Sequence, residues 1–447
     1  MLDPISHNNP MQFYSTNGQS PHASLEEAVM TGLAPDGGLY MPERIPVIPR
    51  AFFNNIGEMS VSDIAYIVAT TVLGDIIDAS ELKQIVFDTF SFEIPLHRID
   101  SDIYALELFH GPTLAFKDVG ARFLARIISH FSHPGSKAVN VLVATSGDSG
   151  GAVAAGFHKV PGVNVFVLYP ERGLTAVQRH QFTSLGDNVY PIEIMGTFDD
   201  CQRLVKEAFV DKLLREEMHI TSANSINVCR LLPQMFYYYY GYSQLLRNED
   251  VAPADGAVIS VPCGNLGNLT AGLLAMRMGL PVKRFVVANN INDSFTRYLA
   301  GEDFEPKKPQ RTVACAMDVG NPSNFSRILD LYNGDRDSIS RDMKGYALSD
   351  EKIISAMKDV YSRHGYLMDP HGATAYEALR ENLAPGEKGI FLATAHPSKF
   401  PEAVRRATGT APQSIIAATT GNPDIHHDTP RITPSLLALK KVLLSAL

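Results

Sequence analysis

From residue 104 onward the chain alternates short, β-branched runs with segments long enough to be helices, and this alternation constrains the fold more than any other feature. The runs are YALEL (104–108), VNVLVAT (139–145), VNVFVLYP (163–170), NVYPIEI (188–194), GAVISVP (256–262), KRFVVANN (283–290) and KGIFLAT (388–394). Strand-then-helix rhythm predicts parallel sheets covered by helices. Runs apolar on both faces, such as VNVLVA, suit strands buried from two sides, as crossover connections require. So many strands predict two sheets. Residues 1–100 read differently, with the turn-rich GLAPDGGLYMPERIP (32–46) followed by helix-like segments to about residue 90. The expected architecture is therefore α/β: an N-terminal lobe over 1–100, a smaller parallel-sheet domain over 101–215 and a larger one over 216–447.

Composition removes several function classes. A net charge of -9 and a pI near 5.9 provide no chain-wide basic field for a phosphodiester backbone, so nucleic acid is not an expected partner. Any anion must be held by a local site. Cys201, Cys229, Cys263 and Cys315 stand far apart and form no CxxC pair, which argues against both a zinc cage and a disulfide framework. No metal site is expected, and reduced thiols fit a cytoplasmic setting. The opening MLDPISHNNP lacks an apolar core, and no run of about 18 apolar residues occurs, so neither export nor a membrane span is expected.

Three strand-to-helix junctions could bind an anion at a helix N-terminus. ATSGDSGGAVAAG (144–156) contains Thr145, Ser146, Gly147 and Asp148. VPCGNLGNLTAG (261–272) contains Gly264, Asn265, Leu266, Gly267 and Asn268, with several backbone N–H groups before the next helix. LATAHPSKF (392–400) has Thr394 and His396 at a strand end, with Pro397 suited to a helix start. None carries GxGxxG or GxxxxGK[ST], which lowers the rank of nicotinamide and nucleotide cofactors. A glycine turn after a strand is also common without function. A fourth segment, FHGPTLAFKDVGARFLA (109–125), sets Lys117 just before a helix among Leu114, Ala115 and Phe116. Apolar surroundings lower a lysine pKa and make neutral amine available to form an imine. The run Tyr237 to Tyr240 points its rings all round a helix and reads as core packing.

These segments resemble the threonine synthases, of the tryptophan-synthase-β-like group of pyridoxal-phosphate enzymes. The likeness runs in order through GLAPDGGLYMP, HGPTLAFKD, TSGDSGG, NSIN with Arg230, VPCGNLGNLTAG, PHGATAYEAL and TAHPSKF, and fades after about residue 410. It implies pyridoxal 5'-phosphate in the cleft between two α/β domains, with Lys117 as the Schiff-base lysine. It further implies that Gly264, Asn265, Leu266, Gly267 and Asn268 hold the cofactor phosphate and that Thr394 gives a hydroxyl to the pyridine nitrogen. Thr145, Ser146, Gly147 and Asp148 would hold the substrate carboxylate. Asn224, Ser225, Asn227 and Arg230 would hold the phosphate of O-phospho-L-homoserine, since a guanidinium fork matches phosphate oxygens. Asp148 stands where many relatives in the wider group carry asparagine. A direct bond from it to the cofactor's phenolate oxygen would set two anions face to face unless one is protonated. His110 and His396 receive no role, and the last helix, PSLLALKKVLLSAL, has no functional reading.

The implied reaction turns O-phospho-L-homoserine and water into L-threonine and phosphate, in a monomer or homodimer. A phospholyase releasing 2-oxobutyrate, or a serine or threonine dehydratase, fits the same scaffold. A non-catalytic binding protein fits it less well, because a binding module needs no imine-forming amine.

Overall fold

The computed structural model describes residues 10–132, 137–248, 256–410 and 429–446. Most of the N-terminal segment expected to carry no leader lies outside them. Two sheets dominate. A six-stranded sheet runs in the order Met343–Ala347, Val282–Asn289, Ala257–Pro262, Gly389–Ala393, Ile103–Glu107, Leu96–Arg98, parallel except for its last strand. A five-stranded, all-parallel sheet runs Arg431–Ile432, Val189–Ile194, Val163–Pro170, Val139–Ala144, His219–Ser222. Every residue of Val139–Ala144 and Ala257–Pro262 is buried, as strands covered by helices on both faces must be.

Neither sheet keeps to the contiguous segments 101–215 and 216–447. Ile103–Glu107 pairs with Gly389–Ala393 in the larger sheet, while His219–Ser222 and Arg431–Ile432 extend the smaller one. A parallel strand is reached only by a crossover, and here the chain uses those crossovers to pass from one sheet to the other. The C-terminal helix Leu436–Ser445 returns with its strand: Leu439 and Leu443 are fully buried in the smaller sheet's outer core, and Lys440 pairs with Asp211 at 2.9 Å.

The N-terminal lobe contains the two-stranded ribbon Phe13–Ser15 with Tyr40–Pro42 and the helices Val61–Leu73 and Ala79–Thr89. It docks on the helix Gln234–Asn248, where the Ser243 hydroxyl donates to the Ile56 carbonyl at 2.7 Å. Tyr237, Tyr238 and Tyr239 of that helix are core residues. The Tyr238 hydroxyl also donates to the Asn268 carbonyl at 2.7 Å, bracing one of the glycine junctions.

Candidate active site

All the site segments leave the C-terminal ends of strands from the two sheets, where open α/β sheets bind ligands. Lys117 opens the helix Lys117–Phe131. The loop before it is stitched to the third junction: Phe116 N donates to the Thr394 carbonyl at 2.9 Å, and His396 N to the Leu114 carbonyl at 3.0 Å. Leu114 takes a left-handed backbone, φ 58°, to make this fit. Below the loop, buried Asp118 accepts from Thr113 N at 2.9 Å and from the Thr113 hydroxyl at 2.6 Å. These bonds tie Phe116, the residue before Lys117, to Thr394.

Lys117 keeps partial exposure but makes no hydrogen bond or ion pair with any described residue. Burial pushes its ammonium below the usual lysine value; Asp148 opposes that shift, while Lys399 and Arg230 add to it. A desolvated lysine amine tied up by no hydrogen bond or ion pair is suited to nucleophilic attack on a carbonyl carbon.

The second junction is an open cup. Leu266 is left-handed, φ 60°, and starts the helix Gly267–Arg277 with no side-chain cap. The backbone N–H groups of Gly264, Asn265, Leu266, Gly267 and Asn268 donate to no described residue. A run of free N–H groups at a helix start fits a phosphate. Glycine is required at 264, where a Cβ would come within 2.6 Å of the Ala316 carbonyl oxygen.

The first junction has the same character. Gly147 adopts φ 141°, and a Cβ there would sit 2.5 Å from the Gln178 side chain. The Thr145 hydroxyl accepts from Gly147 N at 2.9 Å and from Gly150 N at 2.8 Å, so it shapes the turn and is not open to a ligand. The N–H groups of Ser146, Asp148 and Ser149 donate to no described residue, and Ser146 is exposed. Asp148 forms an ion pair with Lys399 at 2.8 Å and accepts from Gln178 Nε2 at 3.0 Å. Burial resists its ionisation, but Lys399 and Lys117 overcome that resistance and hold the carboxyl well below the ordinary range.

The NSIN segment splits into two roles. Asn227 gives both amide protons to carbonyls, Val29 at 2.9 Å and Ser222 at 3.0 Å, and its oxygen caps Cys229 N at 3.1 Å. With every polar atom engaged it buttresses the loop, which departs from the ligand role implied for it. Ser225 accepts from Asn265 Nδ2 at 2.6 Å, so the two anion loops touch. Asn224 has an oxygen with no partner. Arg230 is 5% exposed; its Nη1 donates to the Ala223 carbonyl at 2.5 Å, and its Nε has no partner. No described carboxylate forms an ion pair with it, and burial lowers its pKa to about 10, so it stays cationic. A buried, unpaired guanidinium fits an anionic ligand.

Two residues of this region carry no local sequence signal. Lys399 was in view within TAHPSKF, but nothing in its spacing marks a lysine that is 0% exposed. Arg327 is as buried, and its fork reaches the carbonyls of Tyr40, Ser225 and Ile226 and the side-chain oxygen of Asn324, at 2.7 to 3.2 Å. It joins the N-terminal lobe to the NSIN loop. Arg327→Lys leaves several of those acceptors bare and is expected to cost about 1–2 kcal/mol in urea unfolding, with a larger loss of substrate affinity than of cofactor content. Equal midpoints for the two proteins would remove Arg327 from this role.

The lysine free of hydrogen bonds and ion pairs, the open N–H cup and the unpaired arginine fit pyridoxal phosphate and a phosphorylated substrate. Comparison with known proteins agrees. Residues 90–394 match the family model of pyridoxal-phosphate dependent enzymes, 12–90 that of the threonine synthase N terminus and 371–429 that of the threonine synthase C-terminal region. The threonine synthase of Haemophilus influenzae is 42% identical over 404 residues, covering 89% of this chain and 92% of its own. The crystal structure of threonine synthase from Escherichia coli superposes with a TM-score of 0.88 at 38% identity, over 98% of this chain and 100% of that one. The PLP-bound threonine synthase from Brucella melitensis superposes with a TM-score of 0.90 at 31% identity, over 97% and 98% of the two chains. This chain belongs to the threonine synthase family of pyridoxal-phosphate-dependent enzymes.

Proposed function

We propose that the chain makes L-threonine and phosphate from O-phospho-L-homoserine and water, with Lys117 as anchor of the cofactor and as base. The observation that carries this reading is a desolvated Lys117 with no hydrogen bond or ion pair to any described residue, amid anion-binding junctions from both sheets. Gly264, Asn265, Leu266, Gly267 and Asn268 hold the cofactor phosphate through their free N–H groups. Thr394, whose hydroxyl bonds no described residue, would be the group that donates to the pyridine nitrogen. Pyridoxal phosphate, when bound, supplies a conjugated sink for the electrons of the substrate's Cα–H bond.

With the cofactor carrying the substrate, the Lys117 amine would be free to act as the base, taking a proton from Cα and then one from Cβ. Arg230, with Ser225 and Asn224, holds the phosphate that leaves Cγ; of the two protons removed one ends on Cγ and one returns to Cα, while the hydroxyl of water ends on Cβ and its proton on the released phosphate. The turn carrying Ser146, Gly147 and Asp148 receives the substrate carboxylate at its free N–H groups. Thr145 and Asn227 shape these two loops from behind. The larger sheet and its helices form the cofactor-phosphate lobe. The smaller sheet carries the carboxylate turn, and the N-terminal lobe braces NSIN. Among the described residues no helix is long and apolar enough to cross a membrane, and Cys201, Cys229, Cys263 and Cys315 are free. Both fit a cytoplasmic enzyme, here assigned as a monomer or homodimer, which sedimentation equilibrium distinguishes.

Parallel assay of threonine, phosphate and 2-oxobutyrate from O-phospho-L-homoserine tests the reading. Threonine in step with phosphate supports it, whereas 2-oxobutyrate in step with phosphate means a phospholyase. Thr394→Val removes one hydrogen bond and is expected to slow threonine formation by the equivalent of about 0.5–1.5 kcal/mol. An unchanged rate and an unchanged cofactor absorbance would take Thr394 out of the site.

A further inference from the structure

The ion pair between Lys399 and Asp148 has no part in the reaction just described, yet it ties three of its motifs together. Lys399 closes the short turn Pro397–Lys399 after the third junction and is 0% exposed. Its ammonium lies 2.8 Å from Asp148 Oδ1 and 2.8 Å from the Thr113 carbonyl oxygen. The first contact reaches the carboxylate turn and the second the loop leading to Lys117. Gln178 Nε2 donates to the same Asp148 oxygen at 3.0 Å, and Gln181 Nε2 to the same Thr113 carbonyl at 3.0 Å. Both acceptors are thus gripped twice, in the interior.

We propose that Lys399 is a positioning residue that holds Asp148 ionised and turned inward, so that the turn 146–149 offers a substrate carboxylate N–H donors without net negative charge. This rests on the reading that the turn binds that carboxylate. A lone buried carboxylate there would repel an incoming anion strongly, because the surroundings screen little. With an ammonium at ion-pair distance the two cancel beyond their own length. An asparagine at 148 would need no such partner, so the lysine is the consequence of having aspartate there. The charged and titratable groups around the pair are Lys117 and Cys315 near Asp148, and Asp118, Lys117 and His396 near Lys399.

The test compares wild-type holoenzyme, Lys399→Met, and Lys399→Met with Asp148→Asn. It measures KM and kcat for O-phospho-L-homoserine between about pH 6 and pH 9 and follows thermal unfolding of the cofactor-free proteins over the same span. Lys399→Met alone is expected to raise KM at least about tenfold at the alkaline end, with a smaller change in kcat. The loss should shrink as pH falls, because the unpaired carboxyl then takes up a proton. Its folded-state pKa now lies above the unfolded value. Stability is therefore present at low pH and lost as pH rises, and the cofactor-free variant should melt lower at the alkaline end. The double variant should recover most of the KM loss at every pH and melt without that dependence. A KM rise that is the same at every pH and not relieved by Asp148→Asn would overturn the proposal, leaving Lys399 as a space filler. If Lys399→Met alone fails to fold, a folded double variant with KM near the wild-type value supports the proposal, and failure of both overturns it. Failure of the underlying reading appears separately, as wild-type protein that makes no threonine from this substrate. The melting data on the cofactor-free proteins still decide whether Lys399 holds Asp148 charged.

Discussion

Lys117→Ala is expected to lower threonine formation by at least about 10⁴-fold while the protein stays folded, because no other group at the site supplies both an attachment amine and a base. Among the described residues, Lys399 is the other lysine whose ammonium bonds the site loops, and it is spent: fully buried, paired with Asp148 and bonded to the Thr113 carbonyl. Lys117 has none of these ties. Burial also lowers its pKa, which enlarges the neutral fraction at physiological pH, and only the neutral amine can attack an aldehyde. Borohydride reduction of the holoenzyme followed by peptide mapping should therefore label Lys117. A label on Lys399 would reverse the two assignments. Truncation at the start of the helix Lys117–Phe131 removes no cap or ion pair, so circular dichroism and the unfolding midpoint should change little.

Arg230→Met is expected to weaken O-phospho-L-homoserine binding by about 1.5–3 kcal/mol while cofactor content is kept. The guanidinium is buried with one hydrogen bond, to the Ala223 carbonyl, and an unpartnered Nε. A buried cation in that state is a cost to the empty protein that an anionic ligand repays. Methionine keeps much of the volume and removes the charge, so unfolding of the ligand-free protein should move by less than about 1 kcal/mol. Substrate titration of the borohydride-reduced and native forms, with cofactor measured by absorbance, separates the two phosphates. An Arg230→Met protein that loses cofactor and keeps substrate affinity would move Arg230 to the cofactor-phosphate cup. The contact between Ser225 and Asn265 makes this a close distinction in space, though the charged member stands only on the NSIN side.

The strands were the most legible part of the fold. All seven runs are strands, because fully buried parallel strands write their burial into consecutive apolar residues. In the two large sheets, the described strands without such runs lie at the edges: Met343–Ala347, His219–Ser222, Leu96–Arg98 and Arg431–Ile432. An edge strand buries less, so MKGYA shows one buried residue and no run. Chain order suggested contiguous domains, whereas pairing across the fold returned Arg431–Ile432 to the smaller sheet.

By itself the sequence determined the local chemistry: which strands end in glycine turns, where free N–H groups gather, and which lysine sits in an apolar loop at a helix start. Those features follow from residue types a few positions apart, through allowed backbone angles and helix ends that leave donors unpaired. Only the tertiary structure decided which polar side chains remain available to a ligand. It spends Thr145 and Asn227 on the loops they belong to, leaves Arg230 with no ion pair to any described carboxylate, and supplies Lys399 to Asp148 and Arg327 to NSIN. Availability is set by pairing between groups distant along the chain in a medium that penalises every unpaired charge, and no periodicity in the sequence records that pairing.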